Sequence, residues 1–110
     1  MSDLAETRFA QMQELSDQYA EAQSHADHLS EYRKSKKALL MKQAEIDGYK
    51  TAALQEREAY ASPDYVELLK GLQAATERAI SLKWRLELFR MKVDWARTQS
   101  ANRRAEMNLR

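Results

Sequence analysis

Apolar and small residues recur at Met12, Leu15, Tyr19, Ala22, Ala26 and Leu29, in alternating steps of three and four. This spacing keeps one face of a helix apolar and predicts a long first helix from about Asp3 to Ile46. Beyond Leu29 a seven-residue spacing continues through Tyr32, Leu39 and Ile46, which implies that the stripe slips by one residue where the helix changes neighbours. Before Leu29 the stripe is thin, with many Gln, Ser and Ala. The first thirty residues are therefore expected to be mobile or ordered by a partner.

Asp47-Gly48 reads as a helix stop or a soft kink. Thr51 is suited to cap a short second helix, Thr51 to Ala61. Ser62-Pro63 marks the next start: Ser62 fits the N-cap and Pro63 the first helical position, where its missing N–H costs nothing. A third helix then runs to about Met107 on a sustained heptad. One set of seam positions is Tyr65, Leu72, Ala79, Leu86 and Val93; the other is Leu68, Ala75, Leu82, Phe89 and Ala96. Four repeats predict a packed seam, and Gly71 with the alanines would admit a close neighbour. No stretch alternates as a strand does. The expected fold is all-α: long antiparallel helices with a heptad seam, a hairpin or bundle within one domain (residues 1–110) and completed by oligomerisation.

A second stripe points the same way. Ile80, Trp84, Leu88, Met91 and Trp95 lie on the face of the third helix opposite its seam. Exposed contiguous apolar surface marks an interface. Packing between subunits is the first explanation; a tryptophan that stacks on nucleobases or anchors a partner protein is the second.

Composition narrows the chemistry. The 110 residues include two glycines, one proline and no cysteine, and 32% are charged. Two glycines cannot build a phosphate-cradling loop, and the absence of cysteine excludes disulfides and thiolate metal sites. His25 and His28, with Asp27 and Glu31 nearby, match no metal-site pattern and suit a solvated helix surface. No catalytic constellation is found, so neither an enzyme nor a cofactor is expected. No apolar run is long enough for a transmembrane helix, and the acidic, polar start does not read as a signal peptide. A cytoplasmic protein without a membrane partner is expected, in a bacterial or phage-infected cell.

Charge is segregated beneath a net +1. Residues 1–31 carry seven acids and one base, a net −6. Residues 33–50 carry a net +4 and residues 78–110 a net +6. On the third helix, Lys83, Arg90, Arg97 and Arg104 flank one side of the seam, with Arg78, Arg85 and Lys92 on the other. Their acidic counterparts would come from the first helix (Glu14, Asp17, Glu21, Asp27, Glu31), because opposite charges beside a seam set partner and direction. The same bases, Arg97, Arg103 and Arg104 included, also suit phosphate. So does the cluster of Arg33, Lys34, Lys36 and Lys37, continued by Lys42 and Lys50. Each phosphate neutralised releases counterions, and the neighbouring Tyr32, Tyr49 and Tyr60 offer stacking surfaces.

The segment KTAALQEREAY, with Lys50, Ala53, Leu54, Arg57 and Tyr60, resembles part of the phage recombination mediator proteins of the UvsY kind. The surrounding layout is similar over residues 30–106: a basic helix, a short break, the helix PDYVELLKGLQAA, then an apolar helix with tryptophan and a basic tail. The resemblance implies an all-helical oligomer that binds single-stranded DNA and contacts a RecA-type recombinase and a single-strand binding protein. By position it implies that Lys50 and Arg57 contact DNA, although Glu56 and Glu58 flank Arg57 where the family is more basic. The expected function is thus a non-enzymatic, homo-oligomeric accessory of recombination or replication. The alternative is a coiled-coil adaptor or a phage-encoded inhibitor that acts through protein contacts at the tryptophan stripe.

Overall fold

A computed structural model describes residues 2–109. They form three α-helices, α1 (Ser2–Ile46), α2 (Ala52–Ala61) and α3 (Pro63–Asn108), with no strand among the described residues. The fold is all-α and dominated by two long helices.

The breaks between helices have local causes. At the end of α1, Gly48 adopts φ +106°, its N–H donates to the Glu45 carbonyl (3.1 Å), and the Tyr49 N–H donates to the Ala44 carbonyl (3.0 Å). This is the Schellman arrangement, in which a left-handed residue turns the chain back and satisfies carbonyls the helix leaves open. Thr51 is extended (φ −106°, ψ 150°) and its hydroxyl accepts the Leu54 N–H at 3.2 Å, capping α2. Gln55 reaches back to donate to the Tyr49 carbonyl (2.9 Å). Between α2 and α3 only Ser62 is non-helical; its carbonyl accepts the first helical bond of α3, from Val66 N–H. Pro63 then occupies the first helical position.

The described residues divide into two compact units. Unit 1 combines the start of α1, up to Ala20, with α3 from Ile80 onward, so its two helical segments run antiparallel. Unit 2 is Glu21–Ala79: the rest of α1, all of α2 and the first part of α3.

In unit 2 the buried residues are small. Ala22, Ala26, Ala44, Ala59, Ala75 and Ala79 form the core with Tyr65 as its one large buried side chain. Short side chains at a helix contact let the axes approach toward the lower end of the usual separation. In unit 1, Leu82 and Leu86 are buried, while Met12, Leu15, Tyr19, Phe89, Val93 and Ala96 are half-buried. All ten seam positions of α3 are therefore buried or half-buried.

The inner face of α1 departs from the expected slip. Tyr32, Leu39 and Ile46 are exposed. The alternation of threes and fours instead runs on unbroken from Leu29 through Arg33, Lys36 and Leu40, all half-buried. Arginine and lysine tolerate such positions because their methylene stems lie along apolar surface while the charge reaches water. Gly71 also differs from expectation: it is exposed, and a Cβ built there would meet nothing within 4 Å. No neighbour takes up the room it offers.

Candidate nucleic-acid interface

Each unit carries one place where bases and aromatic rings converge. In unit 2 it is a shallow depression of about 380 Å³ lined by Arg33, Lys34 and Lys37 of α1, Tyr60 of α2, and Tyr65 and Leu69 of α3. The Lys37 ammonium lies over the Tyr60 ring, 4.8 Å from its centroid, and Tyr60 meets Tyr65 edge to face at 5.3 Å. Here the fold collects residues of the basic cluster with one of the tyrosines.

Much of that charge is already engaged within the chain. Lys37 pairs with Glu56 at 3.3 Å, Lys36 with Asp64 at 3.8 Å and Lys34 with Glu31 at 3.4 Å. The Lys36 and Lys37 side chains retain only 26% and 31% of their exposure. Lys37 is held protonated above its ordinary value. The Tyr60 side chain is the largest cause; desolvation opposes it, and the Glu56 carboxylate adds to it. Both residues join α1 to its neighbours as well as contributing positive potential. Glu56, read from the sequence as a neighbour of Arg57, serves as the partner of Lys37. Lys42, Lys50 and Arg57 are exposed and lie outside the depression.

In unit 1 the place is an open groove of about 570 Å³ between the start of α1 and the end of α3. Its apolar lining comes from Leu4, Phe9 and Met12 of α1 and Phe89 and Val93 of α3. Arg8, Arg97 and Arg104 stand around it, and among the described residues no carboxylate lines it. Phe9 is 73% exposed. The Arg104 Nε donates to the Ser100 carbonyl at 3.4 Å, a bond that leaves the other guanidinium N–H groups available. Arg103, one residue earlier, is exposed and not part of the lining.

Four acids of α1 have their partners within α1 rather than among these arginines. Glu14 accepts from Gln18 and Asp17 from Gln13, each four residues away on the same helix. In unit 2, Asp27 is held by Gln23 in the same way and Glu31 by Lys34. The charge-matched flanks expected from the heptad are thus replaced, for these acids, by pairs within α1. In unit 1 the described ion pair of α3 is also internal, Arg90 to Glu87 at 3.4 Å.

Sequence reasoning missed Arg8 and Phe9. Four and then three residues before Met12 lie Arg8 and Ala5, both in the groove, so the unbroken alternation contains the signal for Arg8, while Phe9 lies one position beside it. His25 and His28 are exposed; His28 stacks on Tyr32 at 6.4 Å, and no group of three metal-ligating side chains occurs among the described residues. Among those residues no helix is long and apolar enough to cross a membrane. No protein-family model matches this chain, and comparison with curated proteins and with solved structures finds no match.

Proposed function

We propose that this chain is a non-enzymatic helical protein that binds single-stranded DNA. The observation that carries the reading is the groove of unit 1, lined among the described residues by three arginines and an exposed phenylalanine and by no carboxylate. Guanidinium groups take phosphate in bidentate fashion. An aromatic face stacks on any base that is not already stacked in a duplex, a combination that favours single strands without reading sequence. The basic depression of unit 2 adds positive potential. The likeness of the Lys50–Tyr60 segment to recombination mediators extends the proposal to a role as a recombination or replication accessory, with a RecA-type recombinase and a single-strand binding protein as partners.

The test is fluorescence anisotropy of a labelled oligo-dT at two salt concentrations. Binding is expected to weaken steeply with salt, as counterion release requires. Arg97→Glu together with Arg104→Glu should lower affinity about tenfold or more, and Phe9→Ala should cost roughly 1–3 kcal/mol of binding. Unchanged affinity in both variants would remove the groove as the site.

The exposed stripe from Ile80 to Trp95 favours a second reading, an adaptor or inhibitor that works through protein contacts. No binding of oligo-dT even at low salt would select it.

A further inference from the structure

The stripe on α3 is exposed as its spacing implies: Ile80, Trp84, Leu88, Met91 and Trp95 retain 51–60% of their surface. We infer that a second copy of this chain covers this stripe, with the two α3 helices parallel and in register. The inference rests on the stripe and its edges, not on the nucleic-acid reading.

Trp84, Leu88, Met91 and Trp95 follow one another by four, three and four residues, which is the spacing of a second heptad seam. The two edges of this seam differ in charge. Glu87 and Asp94 each directly precede a seam residue on one edge, while Arg85 and Lys92 each directly follow one on the other. In a parallel, in-register pair, the leading edge of each helix faces the trailing edge of its neighbour. Glu87 then meets Lys92 of the second copy, and the contact occurs twice. Ile80 lies along the stem of the second copy's Arg85, and Asp94 faces an uncharged amide, Gln99. In an antiparallel pair each edge faces itself, which places Glu87 against Asp94 and Arg85 against Lys92. Charge beside a seam chooses direction, and like charges across it are repulsive. Within each chain the Arg90 guanidinium lies 3.4 Å from Glu87, on the side away from the seam, so Lys92 of the second copy shares that carboxylate with it. The central aromatic residues suit such a surface, since tryptophan is among the side chains that dominate interface energetics.

A chain without cysteine permits a direct test of direction. Thr98 lies seven residues after Met91 and Ser81 seven before Leu88, and both are exposed, so cysteine at either leaves the fold intact. A disulfide requires Cα atoms within about 4.4–6.8 Å. In the parallel pair Thr98 meets its own counterpart. In an antiparallel pair it lies beside Ser81, about 25 Å along the helix from its counterpart.

The full chain, free of nucleic acid, is expected to have the mass of two chains by light scattering. Thr98→Cys alone should then cross-link most of the protein under mild oxidation. Glu87→Lys should weaken the pair roughly fivefold to tenfold. Adding Lys92→Glu should restore it, because the two positions are five apart and do not meet on one helix. The mass of a single chain at tens of micromolar overturns the inference. So does cross-linking that appears only when Ser81→Cys and Thr98→Cys proteins are mixed. Arg97→Glu with Arg104→Glu should leave the cross-link unchanged, so loss of DNA binding and loss of pairing are separate results.

Discussion

Lys37 shows how one side chain can serve the fold where the sequence suggested a phosphate ligand or a solvated face. It touches Glu56 and Tyr60, both on α2, and its pKa is raised. A base whose folded pKa lies above its unfolded value contributes stability fully below the unfolded value. That contribution is lost as pH rises through the folded one. The window therefore opens above the ordinary value of 10.5. Wild-type protein should lose more stability between pH 9 and 12 than Lys37→Met does. Parallel titrations of melting temperature would dismiss the pairing. The two glycines make a second contrast at this scale. Gly48 has φ +106°, where a side chain is strained although the space is open; Gly48→Ala should cost about 1–2 kcal/mol. Gly71 sits in mid-helix with nothing near its missing Cβ, so Gly71→Ala should stabilise by about 0.5–1 kcal/mol. Denaturant melts that give both changes the same sign would contradict the backbone assignment.

The helices themselves were largely readable. Their starts and stops are set by local chemistry at Gly48, Thr51 and Pro63, and their existence by strong helix formers and by periodicity. The inner face of α1 was readable only in part. In hydrophobicity Tyr32, Leu39 and Ile46 outweigh Arg33 and Lys36, yet the charged residues carry the true register. Periodicity ranks positions by hydrophobicity, and a long cationic side chain can fill a half-buried site while its head stays wet. Single substitutions check the register. Leu40→Ala should destabilise on the order of 1–2 kcal/mol, because that residue is half-buried, whereas Leu39→Ala should cost well under about 1 kcal/mol. Equal losses at the two positions would restore the slipped register.

Across the molecule, burial is uneven. Unit 2 holds most of the fully buried residues, and every described residue from Arg97 onward is exposed. Regions with few buried contacts open at low free energy. Hydrogen exchange should accordingly be fast over 97–109 and slow over the alanine seam of unit 2. Uniform protection along the chain would contradict that distribution. Protection over 80–95 should rise with protein concentration if a second copy covers the stripe. The segregated charge belongs to this scale as well. Glu14, Asp17 and Asp27 accept from glutamines and Glu31 pairs with Lys34, each on its own helix, so none of these four carboxylates is paired with an arginine of the groove.

By itself the sequence determined the all-α class, the three helices, the seam of α3 and the second stripe opposite it. Each of these depends on neighbours within a turn or two along one helix, which spacing records directly. Only the tertiary structure decided what the bases meet. It put Lys36 and Lys37 beside Asp64 and Glu56, and it brought Arg8 and Phe9 together with Arg97 and Arg104. Those residues are far apart in the chain, and which helix face lies against which is fixed by packing between helices, a relation that no spacing within one helix contains.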